Sequence, residues 1–146
     1  ETSGQPVNQY GADLGILIDK ELVPNRIVAA FNVLYTPEVT QSRRTGEWSR
    51  DTKFGFGTAL MAQIWPGLFI GAEARYLRAY ESLGLGDFAG HALFVGPNLF
   101  FTPAERWRVT MTWAVQAAGK AVGISGPLDL TNFERHQFRL RIGREL

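Results

Sequence analysis

The sequence predicts an all-β fold, an antiparallel, up-and-down transmembrane β-barrel. Three observations carry that expectation. Seven segments alternate apolar and polar residues with a period of two, the mark of strands with one dry and one wet face. Each segment runs for about 11–14 residues, whereas soluble strands usually have about 5–6 and a tilted membrane strand needs about 9–11. The connections alternate between short and long, as in outer-membrane barrels.

The segments fall near 10–22, 25–36, 53–65, 68–80, 88–101, 106–118 and 133–144. In the first, Leu14, Ile16 and Ile18 oppose Asp13, Gly15, Asp19 and Glu21. In the second, Ile27, Ala29, Phe31, Val33 and Tyr35 share one parity. The third sets Phe54, Phe56, Leu60 and Ile64 against Lys53, Gly55, Gly57 and Gln63. The fourth sets Leu68, Ile70, Ala72, Ala74 and Tyr76 against Gly71, Glu73 and Arg75. The fifth is less regular, with Leu93, Val95 and Leu99 opposite Gly96 and Asn98. The sixth is the cleanest, with Trp107, Val109, Met111, Trp113 and Val115 opposite Arg106, Arg108, Thr110 and Thr112. In the seventh, Phe138, Leu140 and Ile142 oppose Arg139 and Arg141. Pro marks the short turns at 22–25, 65–67 and 102–105, where it presets turn geometry. The stretches 36–52, 81–87 and 119–132 read as long polar or Gly-rich loops.

Composition narrows the function classes. The 146 residues suit one domain, 1–146, either a whole β-barrel domain or the C-terminal portion of one. With no Cys there is no disulfide framework, thiolate metal site or thiol nucleophile. Fifteen basic and fourteen acidic residues leave a net charge of +1, which is no nucleic-acid footprint. No apolar run reaches the length of about 18 residues that a membrane-spanning helix requires.

Energetics orient the strands. An Arg on the lipid side of a barrel costs about 2–4 kcal/mol near the midplane, so in a membrane the apolar parity must face out. The lumen-lining charges are then Asp13, Asp19, Glu21, Arg26, Lys53, Glu73, Arg75, Arg106, Arg108, Arg139 and Arg141, seven basic and four acidic. In a narrow barrel they pair into a plug; in a wide one Arg106, Arg108, Arg139 and Arg141 form a basic wall for anionic solutes. Asp19 and Arg26, flanking the first short turn, are expected to face one another across the ladder. Tyr35, Phe54, Trp65, Tyr76, Tyr80, Phe101 and Trp107 fall near strand ends and read as an aromatic girdle at the water–lipid boundary.

The stretches Phe69-Ile-Gly-Ala-Glu-Ala-Arg-Tyr-Leu-Arg-Ala-Tyr80, Phe88-Ala-Gly-His91, Phe94-Val-Gly-Pro-Asn98 and Asn132-Phe-Glu-Arg-His-Gln137 resemble a poorly characterised family of bacterial outer-membrane β-barrels, porin-like or transporter-like. The resemblance covers most of the chain. It implies a location in the bacterial outer membrane, with membrane lipid and lipopolysaccharide as partners, and implies no substrate. One feature departs from it: such barrels end on an aromatic residue, whereas this chain ends in Leu146, with Arg144 on the apolar parity.

Strand parity adds an expectation about completeness. Seven antiparallel strands are an odd number, while single-chain bacterial barrels have an even one. A strand is therefore expected before Glu1, making this the C-terminal part of a larger, even-stranded barrel.

The sequence carries little sign of catalysis, and no metal or cofactor is expected. His91 and His136 have no second His or Cys at ligand spacing. Glu134 and His136 share a parity, and Ser125 is the nearest nucleophile in sequence, which makes a lipid-modifying hydrolase the enzymatic alternative. Gly84-x-Gly86-x-x-x-Gly90 lacks dinucleotide-loop spacing and reads as a hairpin loop. Arg43, Arg44 and Arg50 read as a solvated basic loop able to meet lipopolysaccharide phosphates. The leading expectation is a non-enzymatic pore or uptake channel for small solutes, anionic ones among them. A structural barrel that anchors or encloses a protein partner is the alternative, followed by a soluble, lipocalin-like binding barrel.

Overall fold

The computed structural model describes residues 6–104 and 106–144, all of them in one antiparallel sheet or its connections. The strands are β1 (Val7–Gly11), β2 (Leu14–Val23), β3 (Ile27–Ser42), β4 (Trp48–Trp65), β5 (Leu68–Tyr80), β6 (Phe88–Ala104), β7 (Trp107–Ala121) and β8 (His136–Arg144). From β3 to β8 each strand pairs with the next, while β1 and β2 both pair with β3. The sheet thus has seven strand positions, the first filled by two pieces in line. Glu1 and Leu146, on which the expectations about the chain ends turn, lie outside the described residues.

The break in the first position has a local cause. β1 pairs with the far end of β3 from Glu38 onward, and β2 with its near end up to Tyr35. Between them the ladder meets Pro37, which has no N–H to donate. The chain instead passes through Ala12 and Asp13, where Ala12 N–H donates to the Pro37 carbonyl at 3.2 Å. The Thr36 hydroxyl donates to the Asp13 carboxylate at 3.0 Å.

Three expected boundaries are corrected. The stretch 36–52 is mostly strand: β3 and β4 stay paired from Pro37–Thr52 to Gln41–Trp48, and only residues 43–47 turn. Apart from Pro37, Val39 and Trp48 its strand side chains are polar, so it shows no sustained apolar alternation, as suits strand that stands in water. The sixth segment runs on to Ala121 rather than ending near 118. The last strand begins at His136 rather than 133, because Phe133 folds inward with the preceding loop.

The expected facing of Asp19 and Arg26 is also corrected. The hairpin turns about Asn25, with Val23 opposite Ile27, so Arg26 sits in the turn itself and Asp19, farther along β2, lies opposite Ala30.

The sheet is curled. β6 and β7 separate β5 from β8, and flat neighbouring strands are about 4.7–4.9 Å apart. Yet Glu73 and Arg75 on β5 reach Arg139 and Gln137 on β8 with bonds of 2.7–3.0 Å. Only a concave face brings those side chains together. Its parity is the polar one. The opposite, convex face carries Leu14, Ile16, Ile18, Phe31, Leu60, Ile64, Trp113, Phe138, Leu140 and Ile142, all exposed.

Candidate functional site

The concave face holds the expected inner charges. In the middle, Glu73 accepts from Arg75 Nε at 2.9 Å and from Arg139 Nη2 at 2.7 and 3.0 Å. The second arm of Arg75 donates to Gln137 Oε1 at 2.9 Å, and its guanidinium lies 5.6 Å from the centre of the Phe94 ring. Arg75 is only 8% exposed. Gly57 on β4 makes the space: a Cβ there would meet Arg75 Cγ at 2.9 Å and Asn32 Oδ1 at 2.5 Å. One carboxylate therefore holds two guanidiniums, the charge-assisted geometry in which hydrogen bonds are strongest.

The other sequence-predicted charges spread from this belt toward both ends. Asp19 and Glu21 lie on β2, at one open edge, and Arg139 and Arg141 lie on β8, at the other. Arg108 shares the inner face of β7, opposite Gly143. Arg26 and Arg106 sit in turns at the short-connection end, on the rim. Lys53 belongs to the opposite end, and Asp13 to the break between β1 and β2.

At the long-connection end, the 122–135 connection docks on the concave face through Asp129 and Phe133 while most of its other residues stay exposed, an arrangement the sequence did not reveal. Asp129 is fully buried there. Its carboxylate accepts from the backbone N–H groups of Thr131 and Asn132 and from Asn132 Nδ2. Its backbone is clasped by the Gln116 amide, which accepts from Asp129 N–H at 2.7 Å and donates to the Asp129 carbonyl at 3.0 Å. Phe133 meets Phe94 edge to face, their centroids 6.2 Å apart. Gly90 is the seat of this loop, since a Cβ there would stand 2.0 Å from Asp129 Oδ2 and 2.9 Å from the Lys120 carbonyl. Gln116 could have been noticed as a polar residue on the inner parity, but nothing local marks Asp129 as its partner.

Beside the loop lies a cavity of about 320 Å³ lined by Glu38, Asp51, Lys53, Glu81 and Asn132, among others. The outer apolar run of β4 extends from Phe54 to Ile64, about the span of a bilayer, so Asp51 stands beyond it. Burial, followed by the charges of Glu38 and Glu81, raises the Asp51 pKa; Lys53 pulls it the other way.

The aromatic residues expected at strand ends divide between the two ends. Tyr35 and Phe54 are direct ladder partners at the long-connection end, near Tyr76 and Tyr80. Trp65, Phe101 and Trp107 lie at the short-turn end. The Tyr35 hydroxyl donates to the Leu83 carbonyl, fastening the 81–87 loop over the convex side. The candidate catalytic residues are not brought together. His136 stacks on Trp113 on the outer face, with centroids 6.1 Å apart, and among the described residues no hydrogen bond joins it to Glu134 or Ser125. Of the basic loop, Arg43 donates to Asn8 Oδ1 at 2.8 Å and Arg50 pairs with Val39 within β4.

Residues 1–146 match one family model over their whole length, described as a family of unknown function, DUF6662. The chain belongs to the DUF6662 family. No curated protein and no solved structure matches it. The description of DUF6662 carries neither an activity nor a location, so the function of this member rests on its geometry.

Proposed function

We propose that this DUF6662 protein forms part of the wall of a bacterial outer-membrane β-barrel, acting as a pore or uptake channel for small solutes. The observation that carries the reading is the direction of curl. The concave face carries the charges, beside a small buried apolar cluster that includes Leu77, Phe94 and Phe133, whereas the convex face is apolar and exposed. A soluble, lipocalin-like barrel would place its apolar parity inside, where a ligand sits. An exposed apolar band that crosses β2 to β8 is suited to lipid. Among the described residues both edges of the sheet carry unpaired backbone groups, which lipid does not tolerate, so this reading requires the edges to be paired in the membrane.

Conductance in a planar lipid bilayer tests the reading, with stepwise currents as the expected result. Their reversal potential in a salt gradient reports the sign of the preferred ion. Arg141 keeps an exposed guanidinium on the inner face, and Glu73, shared between Arg75 and Arg139, leaves the belt one further positive charge, so anions are favoured. Insertion without current overturns the pore.

A second reading is favoured by the contents of the concavity. The Glu73 belt and the docked 122–135 loop both occupy inner space. A structural barrel that anchors or encloses a protein partner uses such a filled interior. It predicts insertion, no current and a co-purifying protein.

A further inference from the structure

A row of three basic side chains crosses the convex face. Ladder pairing sets Arg78 on β5 directly opposite His91 on β6, and His91 opposite Lys120 on β7. Directly opposed residues of antiparallel strands share a face. That face is the outer one: the His91 ring lies 5.7 Å from Tyr76 and 6.2 Å from Phe88, while the residue beside Lys120, Gly119, faces the docked inner loop.

The depth of the row is defined by the residues below it. The outer apolar runs of the three strands are 68–76, 93–101 and 107–115, each about the 9–11 residues that cross a bilayer. Arg78, His91 and Lys120 come next beyond those runs, at the long-connection end. A charge on the lipid side costs little there, unlike at the midplane.

The site is shaped as well as charged. The Arg78 guanidinium lies 4.5 Å from the centre of the Phe88 ring and 5.5 Å from that of Tyr80. Cation–π contact holds it flat and spares it the entropy of a free side chain. Its Nε is buried and has no hydrogen-bond partner. Among the described residues no carboxylate is ion-paired with Arg78, His91 or Lys120. A flat guanidinium, a ring N–H and an ammonium without a carboxylate partner among the described residues thus line one patch of the convex face.

We propose that Arg78, His91 and Lys120 bind the phosphate of an anionic lipid headgroup. Arg78 offers its planar fork, Lys120 a mobile ammonium and His91 a ring N–H, while Tyr76 and Phe88 pack against the adjoining glycerol or sugar. The assignment rests on the outer-membrane reading above, and the experiment separates the two.

The full chain is reconstituted in phosphatidylcholine vesicles with and without a minor fraction of phosphatidylglycerol, and retained lipid is counted by native mass spectrometry. Protease protection reports insertion in parallel. Wild-type protein should insert in both and retain phosphatidylglycerol selectively. Each charge removed, by Lys120→Gln alone and then with Arg78→Gln, should lower that preference about fivefold. Lys120 is exposed, so its replacement leaves the fold intact should Arg78→Gln impair it. Insertion with an unchanged preference in Lys120→Gln and the double variant overturns the site but not the membrane reading. Displacement of the lipid by millimolar inorganic phosphate assigns the site to free phosphate and overturns the lipid assignment. Failure of the wild-type chain to insert overturns both.

Discussion

Glu73 on β5 and Arg139 on β8 are joined by two hydrogen bonds, 2.7 and 3.0 Å, across a concavity whose floor is β6 and β7. The residues lie 66 positions apart in the chain. The pair ties the curl of the sheet to its chemistry, because the same carboxylate also fixes Arg75. Charge on the concave face thus favours the curvature that leaves the convex face apolar.

Removing that carboxylate should be the costliest single change on the inner face. Arg75 and Glu73 have side chains only 10% and 11% exposed, so Glu73→Ala strands a buried guanidinium. Breaking a fully buried pair costs about 3–5 kcal/mol, and solvent screening at the half-exposed Arg139 lowers the expectation here to about 2–3 kcal/mol. Arg139→Ala, which removes the exposed partner alone, should cost under about 1 kcal/mol. Urea unfolding in detergent, followed by tryptophan fluorescence, measures both. Equal losses for the two variants would contradict the central place given to Glu73.

Gly90→Ala should release the inner loop while the strands stay paired. Its methyl would fall 2.0 Å from Asp129 Oδ2 and 2.9 Å from backbone at Lys120, and such overpacking costs about 1–3 kcal/mol. Limited proteolysis should then cut within 128–133, where Asp129 and Phe133 are docked, faster than in the wild-type protein. If the chain conducts, the variant should also pass larger currents, since the loop occupies the mouth.

These features differ in how far the sequence reveals them. Strand positions and their outward parity are legible wherever one face is apolar, because a period of two needs only neighbouring residues. The method fails where both faces are wet: Val39-Thr40-Gln41 and Trp48-Ser49-Arg50 form paired strand without alternation. It fails again at Asp19, because its expected partner Arg26 belongs to the turn that Val23 and Ile27 close, and Ala30 takes the opposing place. The inner charges are identifiable by parity, but their pairing is not. Glu73 lies opposite Gly96 and Ala59 in the ladder, and meets Arg139 only because the sheet curls. The seat of Asp129 depends on Gly90 and Gln116, both distant in sequence, and leaves no local trace.

Asp51 should make the long-connection end sensitive to acid in an unusual direction. Burial, then Glu38 and Glu81, raise its folded pKa above the ordinary value near 3.8, so the fold binds a proton more tightly than the unfolded chain. Its contribution to stability is then greatest below that ordinary value, falls as pH rises toward the folded pKa, and stays unfavourable above it. Asp51→Asn should stabilise the protein at pH 7 and flatten this part of the profile. Unfolding midpoints of the two proteins between pH 3 and 7 provide the check; midpoints that stay parallel across the range would contradict it.

Leu140 and Arg141 are consecutive on β8 and face opposite ways, which makes them a test of the medium around the protein. Leu140 pairs with Met111 on the convex face and Arg141 with Thr110 on the concave one. In lipid, Leu140→Arg should cost about 2–4 kcal/mol if it lies near the midplane, and less toward a boundary. In water the same change would be almost neutral, because the leucine is already 54% exposed. Arg141→Gln keeps a polar group on the inner face and should change stability by under about 0.5 kcal/mol in either medium. Bilayer insertion and unfolding of both variants in vesicles decide the matter. A Leu140→Arg protein that inserts and unfolds like the wild type would show that the convex face does not meet hydrocarbon.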